Sequence, residues 1–250
     1  MSVRADNLTV QYGRTTILHS ITFGPLEPGK VIGLIGPNAA GKSTLVKAIA
    51  GIKKPAEGAV AITEGGAELT GKARVEAVGY VPQDLLSSAS LTAFESIMVS
   101  ARRRGVADWD PVERTAAIMD RLGITHLADR LVSDMSGGQR QLVAVAQMLV
   151  REPSVMLLDE PTSALDLKHQ VALLDIVRAE VVGTDRLALV AIHDLNLAAR
   201  FCDELLVVKA GRAIAHDTPR AVLTPDLLEE VYGIRARVLD DAGVPVICPV

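Results

Sequence analysis

The feature that most constrains the fold is an apolar strand that runs into a glycine-rich turn. The stretch VIGLIG (residues 31–36) carries no polar side chain, and it leads into GPNAAGKST (residues 36–44). The second stretch fits the pattern G-x-x-x-x-G-K-[ST], whose backbone N–H groups and following helix N-terminus surround phosphates. Its fixed positions are occupied by Gly36, Gly41, Lys42 and Ser43. The sequence therefore predicts a site for a nucleoside triphosphate.

Two side chains of this loop are expected to contact the phosphates and a metal ion. Lys42 should reach the terminal phosphates, and the Ser43 hydroxyl should ligate magnesium. The other loop positions that we expect to border the nucleotide are Asn38, Ala39, Ala40 and Thr44.

Position 39 departs from the commonest form of the loop, because Ala39 stands where glycine is usual. If the backbone there has a positive φ, alanine costs about 1 kcal/mol relative to glycine. Several charge-assisted contacts to the phosphates outweigh such a cost. Because side chains of a phosphate loop generally point away from the ligand, we predict a working loop.

A pair of carboxylates follows a second apolar strand. The stretch VMLLDE (residues 155–160) ends in Asp159 and Glu160, and Pro161 stops the strand. Ligands of open parallel sheets bind at the carboxyl ends of the strands. Asp159 is therefore expected to hold magnesium, directly or through water, and Glu160 to polarise an attacking water.

Strand and helix patterns alternate along most of the chain, which indicates a parallel sheet flanked by helices. Short strand patterns separated by turn residues occupy residues 8–24. Helical patterns dominate from about 91 to 150, which predicts an inserted second lobe. The stretch ELLVVKAGRAIAH (residues 204–216) predicts a hairpin that turns at Ala210 and Gly211.

Composition and charge narrow the function classes. Hydrophobic residues make up 49% of the chain but aromatic residues only 3%, so the core must be mainly aliphatic, as in buried parallel strands. The net charge of -4 argues against a nucleic-acid binder, and we interpret the basic run 102–104 as a solvated helix end. No signal peptide or bilayer-spanning stretch is expected, and Cys202 and Cys248 match no metal-ligand spacing.

A second anion-binding pattern determines the class of protein. The stretch MSGGQRQ (residues 135–141) precedes a helical pattern. Its hydroxyl and backbone N–H groups belong to Ser136, Gly137, Gly138 and Gln139. A chain with one phosphate loop should not need a second phosphate site. The stretch resembles the signature of ATP-binding cassette (ABC) proteins, where it covers the nucleotide held by a second subunit.

Four further motifs support this resemblance, and they follow the order of the family. They resemble the aromatic residue that stacks on adenine, the Q-loop, the D-loop and the switch histidine. The corresponding residues are Tyr12 in VQYG, Gln83 in YVPQD, Asp166 in SALD and His193 in AIHDLN. Together with the phosphate loop and the signature, these motifs cover nearly the whole chain.

The resemblance implies an α/β fold. Its parts are a RecA-like P-loop core with a mainly parallel sheet, an N-terminal antiparallel β subdomain and an inserted α-helical subdomain that carries the signature. The implied ATP-binding core comprises residues 1–85 and 151–213. The helical subdomain would comprise residues 86–150, and a C-terminal extension residues 214–250.

The resemblance also implies an ATPase in which two copies hold two ATP molecules head to tail, with magnesium. Glu160 would act as general base, and His193 would contact the γ-phosphate. Gln83 is implied to be catalytic and, with Ser43 and Asp159, to hold the metal. Each site would be completed by the signature of the other copy.

Partners follow from the same resemblance. It implies two separate integral membrane permease subunits, an extracytoplasmic substrate-binding protein that acts indirectly, and a peripheral position on the cytoplasmic face of the cell membrane. The surface from Gln83 to about Glu95 would receive the permease. The tail, residues 211–250, looks like that of importer ATPases for ferric siderophores, haem and cobalamin. The pair His169-Gln170 favours ferric siderophores.

Several alternatives stay open. Zinc and manganese importer ATPases have a similar tail, and the tail could simply be an extension that packs on the core. At Ala215-His216 it departs from the usual pattern, in which a glycine often follows. A soluble ABC ATPase of translation or DNA repair would usually carry two cassettes or a coiled-coil insertion. A regulator that binds ATP without turnover would lack a general base, whereas this chain has Glu160.

Overall fold

The computed structural model describes residues 1–85, 90–101 and 110–250 of the 250-residue chain. The described strands, in chain order, are β1 (Ser2–Tyr12), β2 (Thr15–Leu26), β3 (Val31–Ile35), β4 (Glu57–Glu64), β5 (Ala67–Glu68), β6 (Val78–Val81), β7 (Val155–Asp159), β8 (Leu187–Ala191), β9 (Glu204–Lys209), β10 (Arg212–Asp217), β11 (Ala236–Asp241) and β12 (Val244–Pro249). The described helices are α1 (Lys42–Ile49), α2 (Gly71–Ala77), α3 (Ala93–Ala101), α4 (Pro111–Arg121), α5 (Gly137–Leu149), α6 (Leu167–Val181), α7 (Leu195–Phe201), α8 (Pro219–Val222) and α9 (Pro225–Tyr232).

The central sheet places the motif-bearing strands side by side. Its strand order is β10-β9-β3-β8-β7-β6, and every neighbouring pair is parallel except β9 and β10. All residues of β3, β7 and β8 are buried, as expected of parallel strands covered on both faces. The carboxyl ends of β3, β8 and β7 therefore lie in a row at one edge, which is where such sheets bind ligands.

The N-terminal strands form a second, antiparallel sheet in the order β2-β1-β4-β5. Its inward side chains, such as Leu8 and Leu18, share one buried cluster with Leu45 and Ile49 of α1 and with Leu157 of β7. Helix α1 is thus enclosed between the two sheets. This arrangement confirms the predicted parallel core and antiparallel N-terminal subdomain.

Helices α3, α4 and α5 pack together as the predicted second lobe. Ile97, Met119 and Val143 belong to the large buried cluster that also covers the other face of the central sheet. The basic run 102–104 lies outside the described residues. Within the part of the chain that the structure describes, no helix is both long and apolar enough to cross a bilayer.

The C-terminal tail folds back on the core. The predicted hairpin is confirmed, with β9 and β10 joined at Ala210 and Gly211, both of which have positive φ. After it come α8, α9 and a second hairpin, β11 and β12. The side chain of Asn196 in α7 holds the backbone of Ile247 in β12, with Ile247 N donating to Asn196 Oδ1 at 2.8 Å. The tail is therefore an integral part of the core.

Candidate functional site

The phosphate loop leaves β3 at a point where only glycine fits. A Cβ on Gly36 would lie 2.0 Å from the carbonyl oxygen of Val208 in β9, and Gly36 has a φ of 149°. At the other end, Gly41 has a φ of 103°, and a Cβ there would lie 2.7 Å from Leu18 Cδ2. Both fixed glycines of the pattern are thus required by close packing on the neighbouring strands.

Ala39 has a φ of 60°, so the condition under which alanine carries a backbone cost is met. The neighbouring backbone is held in place, because Ala40 N donates to Pro37 O at 3.2 Å and Gly211 N donates to Ala40 O at 2.9 Å. The left-handed conformation of Ala39 is therefore already present in the folded loop, where these hydrogen bonds hold its neighbours.

Replacing Ala39 with glycine is expected to leave ATP affinity nearly unchanged. The backbone cost of about 1 kcal/mol caps any change in Kd at about fivefold, and a cost built into the folded loop affects folding more than binding. Titration calorimetry with ATP on the wild-type and Ala39→Gly proteins measures the effect. A tenfold or larger gain in affinity would show that Ala39 obstructs the nucleotide.

Lys42 is held inside the loop that it follows. Its side chain is buried, with 5% of the residue exposed, and Nζ donates to the carbonyl oxygens of Gly36 at 2.8 Å and Pro37 at 3.1 Å. Burial lowers the pKa of the ammonium, while the charges of Glu160 and Asp159 act in the opposite direction. The ammonium is thus desolvated and hydrogen-bonded by neutral carbonyls, which leaves its charge available for an anion.

Ser43 and Asp159 meet across the loop, as their positions in the sequence predicted. Ser43 Oγ donates to Asp159 Oδ1 at 2.9 Å, and only 1% of Asp159 is exposed. Burial raises the pKa of this carboxyl, and the Ser43 hydrogen bond partly offsets that effect. Within the described ranges, the buried Oδ2 has no hydrogen-bond partner. An unpartnered carboxylate oxygen beside a hydroxyl is the kind of oxygen donor set that magnesium prefers, so these residues fit that ion.

Glu160 brings together residues from the ends of three neighbouring strands. Gln83 Nε2, after β6, donates to Glu160 Oε2 at 2.9 Å. His193 Nε2, after β8, lies 2.5 Å from Glu160 Oε1. Glu160 itself has a φ of 54°, so its carboxylate is presented by a backbone conformation unusual for glutamate. The three residues predicted to be catalytic therefore form one cluster.

This cluster and the phosphate loop border one cavity of about 470 Å³. Its lining contains Asn38, Ala39, Ala40, Gly41, Lys42, Ser43, Thr44, Gln83, Glu160, His193 and Ile17. Ile17, on β2, is the residue that sequence analysis missed. It belongs to no motif, and only the packing of β2 against Gly41 brings it there.

The signature residues lie away from the phosphate cavity, at the start of α5. Ser136 caps α5, accepting from Gln139 N at 3.3 Å, while Gln139 Oε1 accepts from Ser136 N at 3.0 Å. A cavity of about 340 Å³ is lined by these residues together with Gly138 and Asp166. Within the part of the chain that the structure describes, no signature residue lines the phosphate cavity. The phosphate cavity and the signature cavity are thus lined by different residues within one chain.

The signature loop packs directly on the loop that precedes α6. A Cβ on Gly138 would lie 2.7 Å from the carbonyl oxygen of Ala164. Two residues further on, Asp166 caps α6 and accepts from His169 N at 3.0 Å and from His169 Nδ1 at 2.7 Å. The hydrogen bond from the His169 backbone N–H, and to a smaller extent the one from its ring, lowers the pKa of the Asp166 carboxyl. The carboxylate of the predicted D-loop is therefore engaged by its own helix.

Tyr12 lies at the end of β1 with 46% of the residue exposed. Lys53 Nζ lies 4.3 Å from the centre of its ring. In the described part of the chain, Tyr12 lines neither of the two cavities. Lys53 thus lies over one face of this partly exposed ring, and stacking of Tyr12 on adenine stays a prediction.

A third cavity, of about 650 Å³, lies between the end of β6 and the helical lobe. Its lining includes Gln83 and Leu85 on one side and Ser96, Arg140 and Gln147 on the other. The segment predicted to receive a partner, from Gln83 to about Glu95, borders this groove, although residues 86–89 fall outside the described ranges. Gln83 is thus shared between the groove and the Glu160 cluster.

Comparison with known proteins agrees with this geometry. The sequence model of the ABC transporter family matches residues 18–163. The ferric enterobactin transport ATP-binding protein FepC of Escherichia coli (strain K12) is 34% identical over 99% of this chain and 93% of its own length. The hemin import ATP-binding protein HmuV of Pseudomonas aeruginosa (strain PAO1) is 39% identical over 94% of both chains. A solved ATP-binding subunit of an ABC transporter is 26% identical and superimposes with a TM-score of 0.74, covering 94% of this chain and 95% of that one.

Proposed function

This chain belongs to the ABC transporter family and is an ATPase, and from that premise we propose that it is the motor subunit of an importer for an iron chelate. A ferric siderophore is the proposed cargo, with haem or cobalamin as the nearest alternatives. The observation that carries the proposal is the near full-length similarity to FepC, which extends through the C-terminal tail. The ATPase would drive uptake through separate membrane subunits.

Hydrolysis is assigned to the cluster around Glu160. The carboxylate would take a proton from the attacking water, and His193 and Gln83, which now contact it, would hold it in position and sense the γ-phosphate. Lys42 would exchange its carbonyl partners for the phosphates. Ser43 and Asp159 would hold magnesium, which supplies positive charge that offsets the charge of the phosphates.

Two copies of the chain are proposed to form the complete sites. The phosphate cavity and the signature cavity have separate linings in one chain, so each lacks what the other offers. A head-to-tail pair would place Ser136 and Gly138 of one copy over the ATP of the other. Closure on ATP and opening after hydrolysis would then move the two copies relative to one another.

The groove beside Gln83 is the proposed docking place for the membrane subunits. It lies between the ATP-binding core and the helical lobe, and Gln83 reaches Glu160 from it. A partner bound in this groove could therefore respond, through Gln83, to whether the Glu160 cluster holds ATP. The proposed position of the protein is the cytoplasmic face of the cell membrane.

Growth of the host on single nutrient sources tests the cargo. A strain carrying Lys42→Ala, in which other ATPases that serve ferric siderophore uptake are deleted and those for the other nutrients are kept, is expected to lose growth on ferric siderophore as sole iron source, since the loop can no longer hold ATP. Growth on haem iron, on cobalamin-dependent medium and under zinc or manganese limitation should persist. A strain carrying Lys72→Ala, an exposed lysine of α2, is the matched control and should grow on every source.

The pattern of defects decides among the alternatives. A defect confined to haem or to cobalamin would move the cargo assignment to that compound. A defect confined to zinc or manganese limitation would contradict the iron-chelate proposal. Normal growth on all sources would contradict the importer proposal as a whole.

A further inference from the structure

The loop between β7 and α6 connects the two cavities of one chain. It starts at Glu160, which lines the phosphate cavity, and its last residues, Ala164 and Leu165, line the signature cavity. A Cβ on Gly138 would lie 2.7 Å from Ala164 O, so the signature loop rests on the same segment. The shape of residues 161–165 therefore sets how Glu160 lies relative to the signature loop.

Hydrogen bonds inside the loop define that shape only in part. Ser163 N and Ser163 Oγ both donate to Glu160 O, at 3.3 and 3.1 Å. Leu165 N donates to Thr162 O at 3.1 Å. These bonds close two overlapping turns, and each of them lies within the loop. The attachment of the loop to α6 therefore depends on other contacts.

The side chain of Gln170, in the first turn of α6, attaches the middle of the loop to the helix. Its Nε2 donates to Thr162 O at 3.0 Å and to Leu165 O at 2.9 Å. Carbonyl oxygens only accept hydrogen bonds, so the amide must present its NH₂ group, whose two protons serve both bonds. Thr162 is buried, and leaving its carbonyl oxygen without this donor would cost free energy.

The preceding residue, His169, holds only the end of the loop. Its backbone N–H and its ring bond the Asp166 carboxylate, at 3.0 and 2.7 Å. The pair His169-Gln170 thus faces the loop from the first turn of α6, and Gln170 is the member that reaches the residues between Glu160 and Asp166.

We propose that Gln170 is a positioning residue for ATP hydrolysis, whose amide holds the loop so that Glu160 and the signature loop keep their places at the same time. Gln170 contacts no substrate atom in this assignment, and it acts through Thr162 and Leu165. The proposal rests on the proposed roles of Glu160 as general base and of the signature in completing the site of a second copy.

The variant Gln170→Met keeps an unbranched side chain and removes both hydrogen bonds. Because a displacement of about 1 Å in a catalytic site can cost about 10²-fold, a smaller shift of the loop is expected to lower kcat about tenfold. The KM and Kd for ATP should stay within about twofold, since the residues of the phosphate loop are untouched.

The variant Asp175→Met is the matched control. It introduces the same side chain at an exposed position of α6, where the aspartate side chain has no hydrogen bond or ion pair in the part of the chain that the structure describes. It should keep the wild-type kcat and KM. Steady-state phosphate release and equilibrium ATP binding on the purified variants measure these quantities.

Mixed pairs of chains separate the effect on Glu160 from the effect on the signature. In the reference pair, one chain carries Lys42→Ala and the other Gly138→Ala, which leaves one intact site. That site combines the phosphate loop and Glu160 of the Gly138→Ala chain with the signature of the Lys42→Ala chain. Adding Gln170→Met to the Gly138→Ala chain tests the base, and adding it to the Lys42→Ala chain tests the signature. Each addition should lower turnover about threefold relative to the reference pair.

The outcomes distinguish this proposal from the one on which it rests. A kcat of Gln170→Met within about twofold of the wild type would overturn the role of Gln170, as would a rise of KM with unchanged kcat. A loss in only one of the two mixed pairs would also overturn it, because the amide would then position a single element. A reference pair without activity would instead reject the composite site, and the kcat and KM of Gln170→Met would still decide whether Gln170 acts in hydrolysis.

Discussion

Replacing Glu160 with glutamine is expected to lower the ATP turnover rate by about 10²–10⁴-fold, because the amide cannot accept the proton of the attacking water. ATP affinity should change little, since Lys42 and the loop backbone remain in place. The amide has the same shape as the carboxylate, so Gln83 and His193 can stay close to it. Steady-state phosphate release and equilibrium ATP binding on the purified variant measure the two quantities.

A surface glutamate provides the control for this experiment. Glu64 lies at the exposed end of β4, and Glu64→Gln should turn over ATP at the wild-type rate. The variant Glu160→Gln should also accumulate as an ATP-bound pair of chains, because the step that separates the copies is blocked. Turnover within about fivefold of wild type would exclude Glu160 as the base.

Replacing Gly138 with alanine is expected to reduce turnover by about 10²-fold, the effect of displacing a catalytic element by roughly 1 Å. The added Cβ would lie 2.7 Å from Ala164 O and 3.1 Å from Leu165 Cδ2, so the signature loop must move away from the loop before α6. Binding of ATP to the phosphate loop of the same chain should be unaffected. The comparison variant Gly137→Ala, whose Cβ would lie an ordinary 3.6 Å from Ala164 Cβ, should retain far more activity.

Mixing two inactive variants tests the head-to-tail arrangement. A pair made of one Lys42→Ala chain and one Gly138→Ala chain places both defects in the same composite site. Its other site contains an intact phosphate loop and an intact signature. The mixture should therefore hydrolyse ATP much faster than either component does alone. If the mixture is no more active than its components, the hypothesis fails that each site combines the phosphate loop of one chain with the signature of the other and works independently.

The sequence predicted the parts of the site that depend on short motifs in a fixed local context. The glycine-rich turn after β3, the carboxylates at the end of β7 and the turn at Ala210 and Gly211 are each determined by neighbouring residues, and the structure has them where the patterns placed them. The alternation of apolar runs also predicted the parallel sheet. Each of these predictions needed only local residue order and the rule that parallel strands end at one edge.

Some helices were not predicted, and the reasons differ. Helix α2 was missed because none of its residues, all of which the structure describes, is buried, so it has no apolar stripe. Helix α9 carries a usable signal in Thr224-Pro225 at its start and Gly233 at its end, which sequence analysis did not use. Contacts such as that of Gly211 N with Ala40 O join residues far apart in the sequence, and no local pattern encodes them.

The position of β3 between β8 and β9 governs when the nucleotide site can form during synthesis. The ribosome translates β8 and β9 long after the phosphate loop. The turn whose Gly211 N–H donates to Ala40 O is translated later still. At ordinary rates of translation the ribosome needs roughly 10–30 s to cover that interval. The nascent chain must carry a fully apolar β3 through this period without its partners. It acquires the ability to hold ATP only when the last fifth of the protein has begun to emerge.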